Sequence, residues 1–194
     1  MDTPTIHLES DALSSAGRAA HDIGLAALLG GNLFARVAMH PALGEIGDER
    51  ERGRVLNRSW RRYGTVNSLA LAAVVAGWAG ARATETSPAL LSGRERTLAT
   101  AKDVAVGAVA VTGIASAAAG IGFARTASEG AVPMRDGDEP AADASEQASR
   151  LKHAAGALGW LHLASAVSLA SVNAALSQAN FRRPPVRRLL RRRY

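Results

Sequence analysis

The stretch Ala19–Leu43, AAHDIGLAALLGGNLFARVAMHPAL, decides how the rest of the chain is read. Between Asp22 and Glu45 its single formal charge is Arg36, and about twenty predominantly apolar residues are what a helix needs to cross a bilayer. Three stretches of the same character follow, at 64–81, 104–124 and 153–178. The expected fold is therefore all-α: a four-helix transmembrane bundle with a charged first loop and an Arg-rich C-terminal tail.

Length and mean composition do not make that choice. A chain of 194 residues with mean hydropathy +0.01 also fits a soluble helical protein, which is the competing reading. Segregation of charge separates the two. A soluble amphipathic helix carries charge on its wet face every turn or so, whereas here Arg36 is the one Lys, Arg, Asp or Glu well inside a long uncharged run. The absence of Cys excludes disulfides, thiolate metal sites and Cys nucleophiles. The first 17 residues lack the basic start and apolar core of a signal peptide, so the first span is expected to drive insertion. With 21 Arg, two Lys and much Ala and Gly, the composition fits a GC-rich bacterial genome.

Between the first two spans, EIGDERERGRVLNRSWRR (45–62) mixes both charge signs. On a helix its Leu56, Trp60 and Tyr63 share a face, suited to a membrane interface with Arg directed at phosphates. The alternative is a solvated helix with local pairs such as Asp48 with Arg52. The third span has few strong insertion drivers and four glycines, which suits a helix packed against protein. Residues 126–147 hold two prolines and six acids and read as a flexible hydrophilic loop. Their RDGDEP resembles a calcium-loop fragment but lacks EF-hand spacing.

Asn32, Arg36 and His40 recur every fourth residue and so line one face of the first helix. With Asn67 and His162 they form a candidate polar cluster at the end of the first and third loops. An Arg in a span costs several kcal/mol unless it reaches the interface or a partner; reaching the interface is the expectation for Arg36. His40 and His162 are the candidates for holding a haem or a metal between the first and fourth helices; the main reading assigns no cofactor. His21, Asp22, Lys102, Asp103 and Asn173 fall toward the opposite end and are expected to pair with one another. No HExxH, P-loop, GxSxG elbow or GxGxxG turn occurs, so no catalytic residue is assigned and the chain is not read as an enzyme.

The run AHDIGLAALLGGNLFARVAMHPAL, followed by RERGRVLNRSWRRYGTVN, resembles a family of small multi-pass membrane proteins of actinobacteria. His21, Asp22, Gly24, Gly30, Gly31 and Trp60 carry the likeness, which implies membrane location and transfers no catalytic residue.

Seven Arg in residues 182–194 form a basic tail suited to anionic headgroups, without specificity for nucleic acid. Twelve Lys and Arg flank the spans on the side of the termini against ten on the other, so the positive-inside rule puts both termini in the cytoplasm. The functional expectation is a structural or interaction bundle in the cell membrane, associating with itself or a partner through small-residue helix faces.

Overall fold

In the computed structural model, which describes residues 5–83, 86 and 91–181, the chain is helical throughout its spans. Helix α1 (Thr5–Phe34) runs through a π-helical turn (Ala35–Met39) into the short α2 (His40–Leu43). Then come α3 (Glu49–Ala83), α4 (Gly93–Ala124) and α5 (Glu146–Phe181). Four helical segments are long and apolar enough to cross a membrane: Ser15–Leu43, Glu49–Ala83, Gly93–Ala124 and Glu146–Ala179. The basic tail 182–194 lies outside the described residues.

Helices α3, α4 and α5 each start at a local cap. Asp48 Oδ1 accepts the Glu51 amide at 2.7 Å, Ser145 Oγ accepts that of Ala148 at 3.2 Å, and the Glu95 carboxylate closes a capping box on the Ser92 amide at 2.9 Å. Such caps contribute about 1 kcal/mol each. The helices pair as two antiparallel hairpins, α1 with α3 and α4 with α5. In the first, Gly24 faces the backbone of Ala70 and Gly77 that of Gly17, so two glycines per crossing bring the helix axes close. In the second, Gly113 receives the His162 ring and Gly122 the Leu151 side chain. Gly120 and Gly156, by contrast, have open space where a Cβ would stand.

The distribution of apolar side chains is the main departure from a water-soluble bundle. Leu25, Leu28, Val74, Val109 and Leu169 make a narrow core. Val37, Val104, Val111 and Leu69 point outward, between 68% and 76% exposed. No more than 33% of any span's most apolar window is buried inside the protein. Leaving such side chains in water forfeits roughly 1 to 2 kcal/mol each, and over the whole belt that rivals the 5–15 kcal/mol or so that holds a domain together.

Residues 126–147 are not the flexible loop that their composition suggested. Val132 and Met134 are fully buried with Leu43, Leu56 and Phe123 in a second, smaller core at the loop end. A tight hairpin comes next, with Met134 bridged to Pro140 and Ala141 N donating to Pro133 O at 3.0 Å. Arg52 donates to the carbonyls of Met134 and Arg135 at 3.1 and 2.7 Å, and Asn57 to Gly130 O at 2.7 Å. Three apolar residues in the stretch AVPM, too few to show a period, are what seat the segment as a cap.

The charged first loop is correspondingly short. Residues 49–62 already belong to α3, and Tyr63 turns inward, its hydroxyl donating to Ala27 O at 2.6 Å. Arg52 is spent on carbonyls rather than on Asp48.

Candidate functional site

Pro41 shapes the loop end. Lacking an N–H and crowding the carbonyl four residues back, it disrupts the regular helical ladder before it, and the chain relaxes into the π turn, where His40 N donates five residues back to Ala35 O. The extra residue in that turn breaks the Asn32–Arg36–His40 stripe. Asn32 is buried and bonds its own helix, Nδ2 donating to Leu28 O at 2.8 Å. Arg36 crosses to α5, donating to Gly156 O at 3.4 Å with its guanidinium 3.9 Å from the centre of the Trp160 ring. His40, 6% exposed, turns to the cap, Nδ1 donating to Asp138 Oδ1 at 2.7 Å with Trp60 edge-on at 6.0 Å.

The cap docks through Gly137. Its amide donates to His40 O at 3.2 Å, and a Cβ there would stand 2.3 Å from the His40 Cα. Beneath it lies Lys152, 7% exposed and within electrostatic reach of Asp136, Asp138 and Glu139 as well as Arg36. Two helix cations are thus set against three cap acids. Those acids are already engaged: Asp138 with His40, Glu139 with His153 at 3.6 Å, and Asp136 with the amides of Asp138 and Glu139 at 2.7 and 2.8 Å. They do not converge on a common point as calcium ligands would. Among the described residues, no group of three or more His, Asp or Glu side chains is placed to hold a metal ion.

Partial burial works against the charged Asp136 carboxylate, but the two amides and Arg135 outweigh it and hold its pKa below the usual range. A group depressed on folding contributes stability that is fully present above its unfolded value, about 3.9, and lost as pH falls through the folded one. An NMR titration in micelles should therefore place the Asp136 inflection below about 3.9. An inflection at or above it would refute this account of the turn.

The two histidines considered as a ligand pair have separate surroundings. His162 sits between α4 and α5, its Nδ1 3.3 Å from Thr112 Oγ1, while His40 faces Asp138 and Trp60. Both leave Nε2 buried without a hydrogen-bond partner among the described residues. Asn67, on α3, also has a buried, unpartnered Oδ1. Of the candidate cluster, Arg36 and His40 share the loop-end site; Asn32, Asn67 and His162 do not contribute a contact to it. Sequence reasoning missed Lys152, Asp138 and Trp160. A usable signal existed for Lys152, the last charge before 29 uncharged residues and so placed where α5 enters the bundle.

At the opposite end the polar groups join all four helices. Lys102 donates to Asn173 and lies 4.4 Å from the Trp78 ring centre; Asn173 donates to Asp22 Oδ1 at 3.0 Å. Trp78 Nε1 donates to Asp103 Oδ1 at 2.8 Å, and Arg82 pairs with the same carboxylate at 3.1 Å. His21 Nδ1 donates to Val74 O at 2.7 Å. What this arrangement does chemically is bind helix to helix, since donors and acceptors that hydrocarbon would strand are satisfied across helices. The chain matches no protein-family model, no curated protein and no solved structure.

Proposed function

We propose that the protein resides in the cell membrane as a four-span bundle and acts by binding, to lipid and to itself or a partner chain, rather than by turnover of a substrate. One observation carries this reading: large apolar side chains such as Val37, Leu69, Val104 and Val111 are exposed along the outside of the spans, while the buried Lys102 and His40 find polar partners at the two ends. A bilayer is the solvent for which that arrangement is favourable. Both termini are assigned to the cytoplasm, on the Lys and Arg balance of the connections. Membership of the actinobacterial multi-pass family belongs to the same proposal. Lateral association draws support from Gly107, Gly120 and Gly156, which leave open space on the surfaces of α4 and α5.

Fractionation tests the reading directly. After alkaline carbonate washing the chain should sediment with membranes and be released by detergent alone. Recovery in the supernatant of a detergent-free lysate would overturn the proposal. Compartment reporters fused to either terminus should be active in the cytoplasm, and one inserted within residues 126–145 should not; the reverse pattern would invert the assigned orientation.

A further inference from the structure

We infer that Arg58, Arg61 and Arg62 form a binding site for the headgroup of an anionic phospholipid, whose acyl chains run down the outer face of α3. The inference rests on the membrane reading and adds to it a ligand class and a place. The three arginines and Glu129 line a cleft of roughly 410 Å³ beside the 3₁₀ turn Ser128–Gly130. Spaced at i, i+3 and i+4, they lie on one side of the helix, and all three are exposed.

The apolar residues on the next turns of that side fix the depth of the arginines. Val66 and Leu69 project outward there, 47% and 68% exposed. Arg62 to Val66 is one turn of helix, about 6 Å. The surface therefore changes from cationic to apolar over the distance that separates a phosphate from the first acyl carbons. Arginine suits the phosphate because its planar fork can donate two parallel hydrogen bonds to one anionic group.

Glu129 sets the charge of the cleft. It stands at the rim in a left-handed conformation, φ 56°, rare for a residue with a side chain, with its carboxylate 3.7 Å from Arg54, which also pairs with Glu51. One acid against three arginines leaves the cleft cationic, with more than one guanidinium free to face a phosphodiester that carries a single negative charge. A zwitterionic headgroup such as phosphocholine would bring a cation against the arginines.

The test is native mass spectrometry of the full chain in neutral detergent, with dioleoyl phosphatidylglycerol and dioleoyl phosphatidylcholine supplied in equal amounts. Phosphatidylglycerol should be the lipid retained, and R58Q/R61Q/R62Q should weaken its retention by at least about tenfold. The charge-matched control R94Q/R125Q/R150Q, which removes three exposed arginines outside α3, should change retention less than about twofold. R58K/R61K/R62K, which keeps charge and loses the fork, should restore part of the binding, and E129Q should strengthen it. Circular dichroism checks that each variant keeps its helicity. Equal retention of both lipids, an unaffected triple-Gln variant, or preferential capture of a short RNA over the lipid would overturn the inference. A chain that is monodisperse in buffer without detergent would instead overturn the membrane reading beneath it.

Discussion

Gly53→Ala should unseat the cap and lower stability by about 2 to 3 kcal/mol, the upper part of what overpacking costs. Gly53 is buried against the cap, and a Cβ there would lie 1.9 Å from the Val132 carbonyl oxygen and 2.9 Å from its carbon. These are backbone atoms, held by bonds on both sides, and cannot swing away as a side-chain end would. The cap must lift. Lifting stretches the bonds from Met134 N to Glu49 O and from Asn57 to Gly130 O, and draws Val132 and Met134 toward water. Thermal unfolding in detergent should shift downward by about 5 to 10 °C, and trypsin should cut sooner at Arg135, which sits in the lifted hairpin. Gly47→Ala is the control, because nothing stands within 4 Å of a Cβ at that site; it should be neutral within about 0.5 kcal/mol. Equal behaviour of the two variants would show that the cap is not seated through Gly53.

Asp103→Ala should cost about 2 kcal/mol in a denaturing-detergent titration. The magnitude lies between the average of about 0.6 kcal/mol for polar contacts between membrane helices and the several kcal/mol of stranding a buried charge. It falls between because the Arg82 and Asp103 side chains are 25% and 39% exposed, and because Arg82 keeps a bond to Thr86 O at 2.5 Å. Asp103→Asn retains an acceptor for Trp78 Nε1 and should lose about half as much. In a cycle with Arg82→Ala, the double variant should be less destabilised than the sum of the singles. Strict additivity would mean that the pair is not coupled.

The four spans were legible because hydrocarbon excludes unpaired charge, so long uncharged stretches mark them without any knowledge of neighbours; where the helices begin was not, since α3 and α5 start at Glu49 and Glu146, well before the last charges, Arg62 and Lys152, that precede those stretches. Of His21, Asp22, Lys102, Asp103 and Asn173, expected to pair with one another, Lys102, Asn173 and Asp22 do so, whereas Asp103 takes Trp78 and Arg82 and His21 a backbone carbonyl, partners on α3 that the expected set did not contain. The cap was not legible. Val132 and Met134 are buried by contacts with α3 residues roughly eighty positions earlier, and no local period records such an encounter. The divergence of Arg36 from His40 was also hidden, since equal spacing of four implies one face in a regular helix and the π turn removes the regularity. Pro41 was a visible cause, but its effect is a backbone register, not a residue pattern. Lys152 could be read as a span boundary; that its counter-charges come from Asp136, Asp138 and Glu139 depends on how the cap folds.

The bonds at the end opposite the cap are divided between the hairpins: Asp22, Trp78 and Arg82 belong to the one synthesised first, Lys102, Asp103 and Asn173 to the one synthesised second. Until the later pair arrives, the earlier one holds a carboxylate and a guanidinium with no answering group from the other half. Neither half is a finished object, and recognition between them is by complementary charge as much as by shape. The order in which a ribosome delivers the chain thus becomes part of how the bundle is assembled, with the earlier hairpin waiting as an unmatched template for the later one.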